Sequence, residues 1–223
     1  MRNSISSFFY RFLRYFVQFY YNMKFNFKIL NKENIPKLKG GYIIACNHQK
    51  YHDPPAIAAM IKGHFSFMAK EELFKGNPFF VLLIKACGAF PVARGSGDNK
   101  AIERSVYDIK RNRIFVIFPE GHRSKDGKIG KAKSGVALIA GMANAPILPV
   151  CLMYDLGETK GKKKNIDFAV GELIPAEEVC MNIDPNNPEA FDRKELKRVS
   201  SRIINSITQL QTQILSERGV EIQ

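Results

Sequence analysis

The sequence predicts an α/β fold, a single domain with a mostly buried mixed sheet flanked by helices. Short apolar runs alternate with longer amphipathic stretches along most of the chain. Of the 223 residues, 45% are hydrophobic, which is enough for one full core. No repeat or low-complexity linker divides the sequence. We expect residues 29–223 to form this domain, and residues 1–28 to form a separate N-terminal segment.

The strands and helices are expected where apolar runs and helix boundary signals occur. The runs that predict strands are residues 42–46, 65–69, 114–118 and 166–170, and a shorter run leads to Arg94. Residues 98–112 place their apolar side chains on one side of a helix. A last helix is expected from the D-x-x-E start signal at Asp192 and Glu195 to Gly219.

Residues 134–154 are an uncharged stretch long enough to cross a bilayer. Pro146 and Pro149 lie within it, with Asn144 just ahead of them, and two prolines would break a membrane-spanning helix near its middle. We therefore expect a buried helix over residues 134–143, a turn, and a buried strand over residues 147–153.

The N-terminal segment, residues 1–28, contains five basic residues, no acidic residue and many aromatics. On a helix, its side chains divide into an apolar face and a polar face. The apolar face consists of Ile5, Phe8, Phe9, Phe12, Phe16 and Phe19, and the polar face of Ser7, Arg11, Arg14, Gln18 and Asn22. This pattern is typical of an amphipathic helix in the headgroup region of a membrane with anionic lipid. The alternative is a helix packed on the core of its own domain.

The formal net charge of +13 is large for this length and indicates an anionic partner. Nucleic acid, an anionic bilayer and a phosphorylated substrate would all satisfy it. The four cysteines are scattered and form no CxxC pair, so they predict neither a metal site nor a disulfide framework. They favour a reduced protein that faces the cytosol.

The first candidate site follows the predicted strand at residues 42–46. His48 lies on a loop, and Asp53 stands where Pro54 indicates a helix start, with Asp53 as the N-cap. The loop can fold back so that the Asp53 carboxylate meets the imidazole. A carboxylate on one ring nitrogen raises the basicity of the other nitrogen, which makes a general base. The alternative is that Asp53 only caps its helix.

A metal site at these residues is disfavoured. His48 and His52 are four residues apart and Asp53 follows them, but the glutamate of the HExxH pattern is missing. The prolines also confine the helix to residues after His52, so the two histidines do not share a helix face. We therefore expect no metal and no cofactor.

Two further loops contain candidate residues for binding an anion. In the loop after residues 114–118, Gly121 permits close backbone approach and Arg123 can grip a phosphate. Glu120 can hold a hydroxyl or orient the arginine. Arg94 ends the shorter apolar run and offers a second guanidinium. Each loop alone has the composition of an ordinary surface turn, so the prediction depends on their combination.

The combination resembles the glycerolipid acyltransferase family, with the lysophosphatidic acid acyltransferases as its nearest members. The resemblance covers about residues 40–155 and rests on four blocks that occur in the family's order. These are Asn47-His48-x4-Asp53, then Gly88 to Arg94, then Phe118-Pro119-Glu120-Gly121-x-Arg123-Ser124, and finally Ala145-Pro146-Ile147-x-Pro149-Val150.

The resemblance implies an acyltransferase that moves a fatty acyl group from acyl-CoA or acyl carrier protein to the sn-2 hydroxyl of 1-acyl-glycerol-3-phosphate. It implies that His48 is the catalytic base and that Asp53 orients it. It also implies a substrate site formed by Arg94, Glu120, Gly121 and Arg123. The family usually has threonine where this chain has His122, which leaves another lysophospholipid or glycerol 3-phosphate open as the acceptor.

Two other functions compete with acyl transfer. A non-catalytic lipid-binding module would need phosphate contacts but no base, so the pairing of His48 with Asp53 argues against it. A nucleic-acid binder would agree with the net charge and the lysine-rich residues 160–164, but no nucleic-acid motif is present. We therefore expect the protein to bind a lysophospholipid and the cytoplasmic face of an anionic membrane. We expect no nucleic-acid partner.

Overall fold

A mixed sheet of seven strands lies at the centre of the described residues. The computed structural model describes residues 4–93, 98–124, 126–155, 163–179 and 192–220, with the backbone alone for residues 4–11, 13 and 14. The strands are β1 (Phe25–Leu30), β2 (Tyr42–Cys46), β3 (Phe65–Lys70), β4 (Ala89–Val92), β5 (Ile114–Ile117), β6 (Ile147–Tyr154) and β7 (Lys164–Val170). Their order is β1-β7-β6-β2-β5-β3-β4, and all neighbours are parallel except β6 and β7.

Helices cover both faces of this sheet. They are α1 (Ser4–Lys24), α2 (Asp53–Met60), α3 (Pro78–Ala86), α4 (Asn99–Lys110), α5 (Gly135–Ala143), α6 (Ala176–Val179) and α7 (Arg193–Glu217). Side chains alternate between the faces along each strand. In β2, Ile43 and Ala45 pack with α4, α5 and α7, whereas Ile44 and Cys46 pack with α1 and α2. The predicted α/β domain with a mixed sheet between helices is confirmed.

The uncharged residues 134–154 form α5 and β6, as predicted, and both are largely buried. α5 ends at Ala143, because the next residue, Asn144, has a left-handed φ of +48° and Pro146 cannot continue the helix. In the part of the chain that the structure describes, no helix is both long and apolar enough to cross a membrane.

The N-terminal segment contains two elements instead of one helix. α1 ends at Lys24, and β1 begins at the next residue and pairs in parallel with β7. Phe25, Phe27 and Ile29 are partly buried and pack against the core, because alternate side chains of a strand point to the same face. The predicted boundary between residues 28 and 29 therefore falls inside β1.

Candidate active site

Four parallel strands bring the candidate residues to one edge of the sheet. β2, β5, β3 and β4 are consecutive neighbours and run in the same direction, so their carboxyl ends share this edge. His48 follows β2, and the loop of residues 118–124 follows β5. Arg94 follows β4 but lies outside the described residues. Open α/β sheets bind their ligands at such an edge.

The imidazole of His48 contacts the carboxylate of Asp53. Nδ1 of His48 lies 2.6 Å from Oδ2 of Asp53. The His48 side chain is 14% exposed, and the Asp53 side chain is fully buried. Because a carboxylate accepts hydrogen bonds, this partner assigns the ring proton to Nδ1 and leaves Nε2 with a free lone pair. An imidazole held in this way can accept a proton from a hydroxyl group.

Asp53 is the first residue of α2 and does not cap it. The predicted N-cap role is wrong, because His52 occupies that position and the Asp53 side chain turns back onto the loop. There its Oδ2 accepts hydrogen bonds from the backbone N–H groups of Gln49 at 2.7 Å and Lys50 at 2.9 Å. These N–H groups replace the water that a carboxylate loses on burial, and they wrap the loop around one oxygen.

Tyr154, the last residue of β6, holds the other oxygen of Asp53. Its hydroxyl donates a hydrogen bond to Oδ1 at 2.6 Å. Burial, reinforced by the adjacent carboxylate, raises the pKa of Tyr154 far above its ordinary value, so the hydroxyl stays protonated and remains a donor. Sequence analysis missed this residue, since Tyr154 simply ends an apolar run about a hundred residues away from Asp53.

The loop after β5 fixes the position of His48. Oε1 of Glu120 accepts from the backbone N–H of His48 at 3.1 Å, and Oε2 accepts from the N–H of Gly130 at 3.0 Å. The ring of Phe118 stacks on the imidazole, with centroids 4.0 Å apart. The N–H of Ser124 donates to the carbonyl of His48 at 2.7 Å. Buried Glu120 thus ties two loops together, and its predicted contact with substrate stays a prediction.

Arg123 lies against the loop that contains His48. Its guanidinium carbon is 3.7 Å from the ring centroid of Tyr51, and its Nη2 donates to the Tyr51 hydroxyl at 3.1 Å. Gly121 has a φ of +72°, and a Cβ at this position would lie 3.0 Å from Nζ of Lys133. The glycine therefore leaves room for a second cation, Lys133, beside the loop of residues 118–124. Tyr51 and Lys133 were not among the predicted site residues.

The neighbouring histidine, His52, does not join His48. Its Nδ1 lies 3.2 Å from the hydroxyl of Tyr21 on α1, and its carbonyl accepts from the same hydroxyl at 3.4 Å. Sequence analysis also missed Tyr21, which links α1 to the loop between His48 and Asp53. In the described ranges, no three His, Cys, Asp or Glu side chains are grouped so that they could hold a metal ion.

Known proteins are similar to this chain in sequence. A 1-acyl-sn-glycerol-3-phosphate acyltransferase of Streptococcus pneumoniae is 33% identical over 179 residues, which cover 79% of this chain and 60% of that protein. The protein of the same name from Bacillus subtilis is 32% identical over 149 residues, which cover 66% of this chain and 73% of that protein. The chain therefore spans less than two thirds of the streptococcal relative and more than two thirds of the Bacillus relative.

A solved structure and a family model also match this chain. The crystal structure of the 1-acyl-sn-glycerophosphate (LPA) acyltransferase from Thermotoga maritima superimposes with a TM-score of 0.65 over 95% of this chain and 84% of that chain, at 23% sequence identity. This likeness shows a shared fold. A family model described as Acyltransferase matches residues 26–153, which include β2, β5 and the two loops at the carboxyl edge. The chain belongs to the Acyltransferase family.

Proposed function

We propose that this chain transfers a fatty acyl group from an acyl thioester, acyl-CoA or acyl carrier protein, to the sn-2 hydroxyl of 1-acyl-glycerol-3-phosphate and so produces phosphatidic acid. The 2.6 Å contact between His48 and Asp53 at the carboxyl edge of the sheet is the observation that supports acyl transfer most strongly. Family membership supports the same reaction type. The names of the relatives support the choice of acceptor.

His48 acts as a general base through Nε2. It takes the proton of the acceptor hydroxyl while the hydroxyl oxygen attacks the carbonyl carbon of the thioester. The tetrahedral intermediate then collapses, the carbon–sulfur bond breaks, and the imidazolium returns the proton to the leaving thiolate. Asp53 holds the required tautomer and stabilises the imidazolium. A thioester is already activated, so the reaction needs no covalent intermediate on the enzyme.

Arg123, Arg94 and the backbone at Gly121 bind the phosphate of the acceptor. A guanidinium can donate two parallel hydrogen bonds to a phosphate, and stacking on Tyr51 holds the plane of the Arg123 guanidinium in place. Glu120 holds the loop of residues 118–124 to the His48 loop, because its carboxylate accepts a hydrogen bond from the backbone N–H of His48. We therefore assign Glu120 a positioning role.

α1 holds the enzyme at the cytoplasmic face of a membrane with anionic lipid. Val17 and Tyr21 pack on the core, and the outer side of the helix leaves large apolar and aromatic side chains exposed. These are Phe12, Tyr15, Phe16, Phe19, Tyr20 and Met23. Residues 1–28 contain no acid, so attraction to anionic lipid adds to the burial of these side chains.

An acceptor panel with one labelled acyl-CoA tests the proposed function. We expect the highest kcat/KM with lysophosphatidic acid, measured as release of free thiol. Faster release with another lysophospholipid or with glycerol 3-phosphate would assign a different acceptor, an alternative that the exposed His122 in the loop of residues 118–124 keeps open. No thiol release with any acceptor would contradict acyl transfer.

A further inference from the structure

α3 differs from the neighbouring crossover helices of this sheet, because none of its residues is buried. Phe79 is 82% exposed and Leu82 is 59% exposed, and Phe80 and Leu83 are exposed beside them. A crossover helix between parallel strands normally packs its apolar side on the sheet. α2 and α4, which make the preceding and following crossovers, do bury side chains in the two cores.

The exposure of α3 does not come from a poorly formed helix. Asn77 caps it, since its Oδ1 accepts from the N–H groups of Phe79 and Phe80 at 2.8 and 3.3 Å. Pro78 occupies the first turn, where proline is favoured. A well-capped helix of sequence PFFVLLIKA that faces solvent is a contiguous apolar patch, and such patches mark interaction surfaces.

Two features of the surroundings indicate that the partner is a lipid surface. α3 contains no acidic residue, and Lys85 lies within it, while Lys75 precedes it and pairs with Glu71. Crossovers between parallel strands are right-handed in about 98% of cases, so the connection from β3 to β4 is expected to put α3 on the sheet face that α2 covers. α1, with its exposed aromatic side chains, packs on that same face.

We propose that α3 inserts its apolar side chains into the interfacial region of an anionic bilayer, as a second contact beside α1. The contact rests on the proposed function in one respect, that the acceptor is itself a lipid. Because only residues 71–77 separate the end of β3 at the carboxyl edge from α3, two contacts on one face orient that edge relative to the membrane, which a single helix could not do. The exposed Lys85 provides electrostatic attraction to anionic headgroups.

A tryptophan reporter tests this contact, because the natural chain contains no tryptophan. In the full chain with Phe79→Trp, vesicles of phosphatidylcholine with about one-third phosphatidylglycerol are expected to shift the emission to the blue, and brominated lipid is expected to quench it. The control is Tyr107→Trp. Tyr107 is 51% exposed and lies on α4, which covers the opposite face of the sheet. Quenching at position 107 and none at position 79 would overturn the proposal.

Two substitutions that introduce negative charge measure the contribution of α3 to binding. The variant Phe79→Glu/Leu82→Glu is expected to bind the same vesicles about tenfold more weakly. The matched control, Leu38→Glu/Val220→Glu, adds the same charge at exposed apolar positions outside α1 and α3 and should bind nearly as the natural protein does. Equal binding of the α3 variant would overturn the proposal, as would a dimer that this variant dissociates without loss of vesicle binding.

A soluble assay separates this proposal from the proposed function. With a short-chain acceptor below its micelle concentration, the α3 variant should keep the turnover of the natural protein. If the natural protein shows no turnover but its vesicle binding still depends on α3, the proposed function fails and the membrane contact stands. If turnover of the dissolved acceptor is normal and vesicle binding does not depend on α3, the contact fails alone.

Discussion

Asp53 is the residue on which the geometry of the site depends. Its buried carboxylate accepts hydrogen bonds from the His48 ring, from two N–H groups of the loop and from the Tyr154 hydroxyl. A buried carboxylate without partners would cost several kcal/mol, so each donor offsets part of that cost. The loop cannot move away without leaving the charge unsolvated. One carboxylate therefore shapes the loop and orients the proposed base.

Arg123 is the single residue that we expect to determine how tightly the acceptor binds. We expect Arg123→Ala to raise the KM for lysophosphatidic acid by about tenfold to a hundredfold, because a charge-assisted hydrogen bond contributes roughly 1.5–3 kcal/mol. The KM for acyl-CoA should change little. Arg123→Lys is the control and should raise this KM less than Arg123→Ala does, since lysine keeps the positive charge but lacks the planar guanidinium. A defect confined to the donor KM would contradict the assignment.

At the scale of the elements, the site depends on two loops that Glu120 joins. We expect Glu120→Gln to lower kcat by about tenfold with little change in the acceptor KM, because the amide NH2 group cannot accept from a backbone N–H. Steady-state kinetics at several acceptor concentrations separate the two parameters. A rise in the acceptor KM with an unchanged kcat would instead support direct contact between Glu120 and the substrate.

α1 should contribute to membrane binding through its exposed aromatic side. We expect Phe16→Ser/Phe19→Ser to weaken sedimentation with anionic vesicles by about tenfold or more, since each buried aromatic contributes roughly 1.5–3 kcal/mol. Deletion of the whole segment is a poor test, because it would remove Tyr21 from the core and disturb β1. Vesicle binding equal to that of the natural protein would contradict a membrane role for this face.

The elements that sequence analysis predicted are those with local signals. β2, β5 and β6 are apolar runs of strand length, and α7 begins where Asp192 accepts a hydrogen bond from the N–H of Lys194. β1 was missed because its alternating phenylalanines continue the aromatic stripe of α1. α3 was missed because a uniformly apolar helix has no periodicity to detect.

In the candidate site, too, sequence analysis predicted the local contact and missed the contacts between distant residues. His48 and Asp53 are close in sequence, so a strand-to-helix loop was enough to predict their contact. The donor Tyr154 comes from β6, and Glu120 reaches the His48 backbone across a sequence separation of 72 residues. Contacts between distant residues depend on strand order, which the pattern of a single sequence does not contain. The cap assigned to Asp53 failed for a local reason, because its carboxylate accepts from the N–H groups of Gln49 and Lys50 in the preceding loop.

At the scale of the whole molecule, three buried tyrosines make the fold sensitive to alkaline pH. Burial raises the pKa of Tyr42 to about 12, and it also raises the pKa values of Tyr21 and Tyr154. In the unfolded chain these hydroxyls ionise near pH 10. Since the folded state keeps protons that the unfolded state releases, this stabilisation is complete below about pH 10 and declines as the pH rises from there.

We therefore expect the free energy of unfolding, measured by urea titration, to fall as the pH rises above about 10. Tyr154→Phe should lower stability at neutral pH by about 1–3 kcal/mol, because the buried carboxylate of Asp53 loses a donor. It should also make the alkaline decline shallower. Tyr107→Phe, at an exposed position on α4, is the control and should keep the natural slope. A Tyr154→Phe slope equal to the natural one would contradict the prediction.

The most direct measurement for the proposed mechanism is the turnover of labelled acyl-CoA with lysophosphatidic acid by His48→Ala. The control is His64→Ala, an exposed histidine at the opposite edge of the sheet, just before β3. Thermal unfolding should confirm that both variants fold. We predict that kcat falls by roughly 10²–10⁴-fold in His48→Ala, the usual contribution of a general base, and stays close to the natural value in His64→Ala. Equal turnover by His48→Ala and the natural protein would contradict the assignment of His48 as the base.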